Sequence, residues 1–268
     1  MTTPVQNPHP DEVPLYHTKA YPCSYLSEQQ ARSQIVLQSQ RMSKDRYSQL
    51  VQNGFRRSGN ITYRPACDHC QACIPVRIPV AQFQPTRSQR RSSKTHQNLL
   101  AQEQALRFSA HHYQLYQRYQ RARHAGNGMD LDEPEQYRQS LLLSQIDTRL
   151  VEFSEHADED EDEQLGQNTN PDARQHRAQQ KHTPPRIVRM VSIIDVLNDG
   201  LSSVYTFFDP DYPGSLGTYN ILWQIEQCRL HQLPYLYLGY WVEHSQKMAY
   251  KAKFQTIEGL IEGRWQTL

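Results

Sequence analysis

Three thiols in the run Cys67-Asp68-His69-Cys70-Gln71-Ala72-Cys73 stand at two successive C-x-x-C spacings. Such a turn lets neighbouring thiolates converge on one zinc ion or iron–sulfur cluster, with Cys23 (in Tyr21-Pro22-Cys23) or His69 as the fourth ligand. Without a metal the same residues make a redox-labile surface turn. A second group lies near the C-terminus, where the aromatic run Tyr235-Leu236-Tyr237-Leu238-Gly239-Tyr240-Trp241 leads into Glu243, Lys247, Tyr250 and Lys251. On a helix, Lys247 and Lys251 share a face, and two ammonium groups beside aromatic walls make a pocket for a carboxylate. The plainer alternative is a solvated basic helix behind a core strand. A third pattern, Arg123-His124-Ala125-Gly126-Asn127-Gly128, fits the R-x-x-G-x-G of pyrophosphate-holding loops. Such loops work between a strand and a helix N-terminus, whereas this one follows a helical segment, so it is set aside.

Charge along the chain is segregated although the net charge is only +1. Residues 54–94 hold eight basic side chains (Arg56, Arg57, Arg64, Arg77, Arg87, Arg90, Arg91 and Lys94) against one acid, Asp68. Phe55, Tyr63 and Phe83 are interleaved with them, a mixture that suits phosphate contacts and stacking on unpaired bases, as at a tRNA acceptor end. Residues 154–163 hold seven acids and no Lys or Arg. None of the 268 residues falls in an apolar run of about 18, and residues 1–10 have no apolar signal core. The five cysteines then read as reduced thiols or ligands in the cytosol, with Cys228 on the apolar face of a helix and therefore core.

These residues need elements to position them. Residues 1–20 read as a loose leader, and residues 43–53 as a helix capped by Ser43, with Tyr47, Leu50 and Val51 on one face and Gly54 at its end. Residues 55–65 read as extended, and residues 74–83 as an edge strand because of Pro75 and Pro79. Residues 88–108 and 109–124 read as helices, with Tyr113, Tyr116 and Tyr119 as core or groove lining; a third helix follows Pro134 and carries Tyr137, Leu141 and Leu142. Strands are expected at 148–153, 187–196 and 201–208, the last two joined through the hairpin signal Asp199-Gly200. Residues 217–231 read as an amphipathic helix with Ile221, Leu222, Ile225 and Cys228 inward, residues 235–242 as a buried strand and 245–253 as a short basic helix. The order is α+β: a small Cys-containing N-terminal domain over 1–85, then a second domain over 86–268 with a mainly antiparallel sheet and a disordered acidic insert at 154–185.

Taken together, these segments resemble one family. Tyr21-Pro22-Cys23, Gly54-Phe55-Arg56-Arg57-Ser58-Gly59, and Tyr63-Arg64-Pro65 with the cysteine turn resemble the N-terminal domain of arginyl-tRNA–protein transferases. Arg87-Ser88-Gln89-Arg90-Arg91, Ser202-Ser203-Val204-Tyr205-Thr206-Phe207-Phe208-Asp209-Pro210, Ser215-Leu216-Gly217, Tyr237 to Trp241 and Lys247-Met248-Ala249-Tyr250-Lys251 follow in the family's order. The compact length and the cysteine turn look like the bacterial branch, which transfers leucine to N-terminal Asp or Glu. In the longer, arginine-transferring branch the second metal-binding pair is adjacent cysteines, unlike Cys67, Cys70 and Cys73. The resemblance implies a GNAT-like (acetyltransferase-like) second domain and a role in marking proteins for N-end-rule degradation.

It implies charged tRNA and acceptor proteins as partners, no membrane, and no cofactor for the chemistry beyond a structural zinc or iron–sulfur cluster. Arg77, Lys247 and Lys251, with Tyr250 beside them, are then expected at the acceptor; Arg56, Arg57, Arg64, Arg87, Arg90 and Arg91 at the tRNA. Tyr219, Tyr240 and Glu243 are expected to handle protons or position substrates, and the lining near Leu238 to hold the leucine. Competing readings are arginyl transfer, an acyl-CoA N-acetyltransferase, and a zinc-ribbon nucleic-acid binder.

Overall fold

The computed structural model describes residues 14–37, 42–124, 132–156, 186–243, 245 and 248–268. The first part runs β1 (Leu15–His17), β2 (Tyr21–Pro22), β3 (Gln30–Ala31), β4 (Ser33–Leu37), α1 (Lys44–Gln52), β5 (Arg56–Ser58) and β6 (Ile61–Pro65). There follow β7 (Ile74–Pro79), α2 (Arg87–Thr95), β8 (Leu100–Gln104), α3 (Ala110–His124) and α4 (Pro134–Tyr137), which continues into a π-helical turn, Arg138–Leu142. The remainder is β9 (Thr148–His156), β10 (Arg186–Val196), β11 (Gly200–Phe208), α5 (Leu216–Leu230), β12 (Tyr235–Trp241), a 3-10 turn (Ala249–Lys253), β13 (Glu258–Ile261) and β14 (Arg264–Thr267).

Local signals explain the first helix. The Ser43 side chain accepts from the Arg46 amide at 3.3 Å, and Gly54, at φ +83°, turns the chain just beyond Asn53. β5 and β6 then form a hairpin inside a four-stranded sheet ordered β1-β4-β6-β5. Leu15 to His17 pair with β4, so part of the expected leader is a strand.

The large sheet has eight strands in the order β14-β13-β7-β12-β11-β10-β9-β8. β8 to β11 form an antiparallel meander, α5 crosses over, and β12 returns parallel to β11; this is the mainly antiparallel α+β arrangement expected of the second part. β10 is covered on both faces, which explains why apolar residues point to both sides of it. Val191 and Ile193 pack with Phe207 against Leu115 and Tyr116 of α3 and Tyr137 of α4. On the opposite face Met190 and Ile194 pack with Ile221, Ile225 and Cys228 of α5. The two layers bury the sheet's centre, and no helix among the described residues is long and apolar enough to cross a membrane.

Four expectations change. β7, expected at an edge, lies between β13 and β12; β13 pairs with it only at Val76 and Arg77, between the two prolines, so the missing N–H groups interrupt little of that ladder. It also carries the end of the expected N-terminal domain into the eight-stranded sheet. The helix expected over 88–108 ends at Thr95, and Leu100 to Gln104 instead pair with β9. The basic helix at 245–253 is a 3-10 turn from Ala249 to Lys253, while Lys247 lies outside the described residues. Of the acidic insert, residues 154–156 extend β9, and 157–185 lie outside the described residues.

The two parts are tied by a buried ion pair. Arg57 of β5 donates to both carboxylate oxygens of Asp195 on β10 at 2.8 Å, with side-chain exposures of 1% and 0%. Tyr47 of α1 and Thr148 of β9 each add a hydroxyl to the same carboxylate at 2.7 Å. Burial, and next the Asp195 charge, hold the Tyr47 phenol well above its ordinary range, so it stays a donor.

Candidate active site

β11 and β12 pair only from Gly200 to Ser202 against Tyr235 to Tyr237. Beyond that register two basic side chains meet the carbonyl groups of the strands. Arg56 of β5 donates through Nη2 to Ser203 O and Val204 O, both at 2.8 Å, and through Nη1 to Leu238 O at 3.4 Å. Lys251 Nζ donates to Leu238 O at 2.8 Å and to Tyr240 O. Buried carbonyls need donors, so these side chains substitute for a continued ladder and hold the split. Gly239 makes room for this: at φ +73° a Cβ there would sit 1.4 Å from Arg56 Nη1. Lys251 is buried, and burial, then the neighbouring Arg56, hold its amine well below the usual lysine range.

An aromatic wall stands beside the split. Tyr119 of α3 lies edge-on to Phe208 of β11 with centroids 4.8 Å apart, and the Arg123 guanidinium lies 5.9 Å from the Phe208 ring. Tyr250, 42% exposed, presents its ring 5.8 Å from Lys251 Nζ. Glu243 is exposed just past β12. Hydrogen-bond donors and a guanidinium set beside aromatic rings suit groups that carry or develop negative charge. Tyr119, Arg123, Phe208 and Gly239 were not singled out as site residues by the sequence. The recurrence of Tyr113, Tyr116 and Tyr119 and the glycine inside an aromatic strand were the available signals.

The expected site residues separate. Arg77 is not open to an acceptor: its guanidinium lies 3.6 Å from the Tyr235 ring and 4.4 Å from the Trp265 ring, and it donates to Glu258 at 2.7 Å. Arg57 is buried against Asp195, and Arg56 occupies the split, so neither faces a polyanion. Lys251 holds strand carbonyls and is not free for a carboxylate. Arg64 is half-buried on the β6 hairpin, donating to Gln34 at 2.8 Å with its guanidinium 4.7 Å from the Phe55 ring. The Tyr240 phenol donates to Gly54 O at 2.8 Å and, with its pKa raised by burial, fastens β12 to the N-terminal hairpin instead of handling protons. Tyr219 packs against His96 and Phe153, and burial raises its phenol too.

Known proteins give this arrangement a family. A model described as "Arginine-tRNA-protein transferase, C terminus" matches residues 111–261, and its N-terminal counterpart matches 21–91. The chain belongs to the arginine-tRNA-protein transferase family. It is 52% identical over 255 residues to an aspartate/glutamate leucyltransferase of Nitrosospira multiformis, covering 95% of this chain and 90% of that one. A protein of the same name from Chromobacterium violaceum is 46% identical, covering 95% and 93%. Among solved structures, FemX is similar at 10% identity and a TM-score of 0.45, over 75% of this chain and 62% of that one. As a member of this family the chain is an aminoacyltransferase.

Two further features lie outside the split. Arg87, Arg90, Arg91 and Lys94 are exposed on α2 at helical spacings of three and four, which aligns them on one face. Three of them sit in the first turns, where the helix dipole disfavours cations, so dipole compensation does not account for them. Cys23, Cys67, Cys70 and Cys73 all line one cavity of about 600 Å³ that also reaches Tyr25, Tyr63 and Tyr240. Burial and then the three neighbouring cysteines push the Cys73 thiol up to about 12. Four thiols facing one space suit zinc or an iron–sulfur cluster in kind, although among the described residues no three side chains are already set as ligands.

Proposed function

We propose that this aminoacyltransferase moves leucine from leucyl-tRNA to the α-amine of proteins beginning with Asp or Glu, marking them for degradation through their N-termini. The full-length likeness to proteins named aspartate/glutamate leucyltransferase carries the reading, and the cationic split agrees with it. Because the matching family models are described for arginine, an arginyl donor is the second reading.

The donor ester is already activated. The acceptor amine, with an ordinary pKa of about 7.7–8.0, is partly neutral at neutral pH and attacks the ester carbonyl carbon. A C–N bond forms, the tetrahedral oxyanion collapses, and the C–O bond to the terminal ribose breaks. The amine loses one proton and the ribose oxygen gains one. No covalent enzyme intermediate is needed; orientation of two bound substrates and donors at the oxyanion supply the acceleration. Arg87, Arg90 and Arg91 bind the tRNA backbone, and Glu243 is the candidate for moving the amine's proton. The four cysteines hold one structural zinc ion or iron–sulfur cluster that supports the N-terminal sheets and takes no part in the reaction; elemental analysis of wild type against Cys70→Ser checks this.

The acceptor half is tested with leucyl-tRNA and peptides beginning with Asp, Glu, Asn and N-acetyl-Asp. Products from the free Asp and Glu peptides alone support the reading. Modification of the acetylated peptide, or equal modification of the Asn peptide, overturns it.

A further inference from the structure

We infer that Arg123, held with Tyr119 on the Phe208 ring, is the subsite for the acidic side chain of the acceptor's first residue. The inference rests on the proposed acceptor class and names the group that selects it.

Elimination among the described cations near the split leads to this residue, Lys247 lying outside the described residues. Arg56 and Lys251 are held by strand carbonyls, and Arg77 by Glu258 and two rings. On neighbouring elements, Arg118 and Arg189 are both tied to Asp209. Arg123 is exposed on the last turn of α3 with its guanidinium 5.9 Å from the Phe208 ring, and no acid among the described residues is paired to it. A guanidinium laid over an aromatic face keeps its N–H edge free for a bidentate carboxylate.

The surroundings fit the same ligand. Phe208 carries Tyr119 on its edge, which fixes one wall at the end of β11. The Tyr119 phenol is pushed up to about 12, by burial first and then by Tyr250, while Arg123 pulls the other way. The Tyr119 phenol stays protonated at neutral pH and can donate to a carboxylate. The same place lies beside the split that Arg56 and Lys251 hold, where the α-amine would be brought to the ester. Asp and Glu carry their carboxylates on one and two methylenes, a difference that one flexible guanidinium can span.

A role in merely complementing the α3 dipole would leave acceptor choice untouched. The test therefore reads a ratio. Transfer from leucyl-tRNA to peptides beginning with Asp, Asn and Lys is measured for wild type, Arg123→Gln, Arg123→Lys and Arg123→Glu. For Arg123→Gln the Asp-over-Asn ratio of kcat/KM should fall roughly 10-fold or more, through KM for the Asp peptide, as expected for one charge-assisted contact. Arg123→Lys should recover part of the ratio, and Arg123→Glu should favour the Lys peptide. An unchanged ratio in Arg123→Gln, or a uniform loss on all three peptides, overturns the inference. If wild type modifies no peptide at all, it is the transferase reading that fails, and the two failures are separate.

Discussion

Gly239→Ala is the sharpest perturbation of the split. An added Cβ would lie 1.4 Å from Arg56 Nη1, 2.4 Å from its Cζ and 2.8 Å from its Cδ, so the guanidinium must leave. The backbone at φ +73° separately costs a non-glycine residue about 1–2 kcal/mol. Expelling Arg56 strips a charged donor from Ser203 O, Val204 O and Leu238 O, a loss of about 1.5–3 kcal/mol. The variant should thus lose about 2.5–5 kcal/mol of stability, with most of its transfer activity. The assay is urea unfolding of four proteins: wild type, Gly239→Ala, Arg56→Ala and the double variant. With Arg56 already gone, Gly239→Ala should cost only the backbone part, about 1–2 kcal/mol. Equal costs in the two backgrounds, within about 0.5 kcal/mol, would refute the idea that Gly239 exists to admit Arg56.

Arg57→Met leaves Asp195 buried without its partner, and denaturation should show a loss of about 3–5 kcal/mol; a change under about 1 kcal/mol would mean that the pair does not join the two parts. Because the folded pKa of Lys251 is depressed, between that value and the ordinary one the unfolded chain holds a proton that the folded one lacks. That cost is complete below the folded pKa and fades as the pH climbs towards about 10.4, so wild type should gain on Lys251→Met between about pH 7 and pH 9.5. A flat difference in urea midpoints would show that Lys251 is charged in the fold. Arg90→Ala combined with Arg91→Ala should lower the slope of log K against log salt for tRNA binding by about 1–2, and an unchanged slope removes α2 from the tRNA face.

Legibility followed sequence separation. α1 was readable because Ser43 and Gly54 act within a few residues of the helix. The β10–β11 hairpin was announced by Asp199-Gly200 in the same local way. β8 was misread since Leu100-Ala101-Gln102-Glu103-Gln104 is made of helix formers, and only pairing with β9 makes it a strand. The arginines failed for a related reason. Nothing near Arg57 announces Asp195, which lies 138 residues on, and Arg77 meets Glu258 across 181 residues. A count of basic residues along the chain therefore mixed buried clamps with the exposed row on α2, which alone had the helical spacing to declare itself. The family motifs located the split through Gly239 and Lys251, but they gave no sign that both serve its architecture.

The most direct test of the account is a mass measurement. The enzyme is incubated with a peptide beginning with Asp and, in separate reactions, with leucyl-tRNA or arginyl-tRNA, and the peptide is weighed. The account predicts a product one leucine residue heavier from leucyl-tRNA and unmodified peptide from arginyl-tRNA; unmodified peptide in both reactions would contradict it.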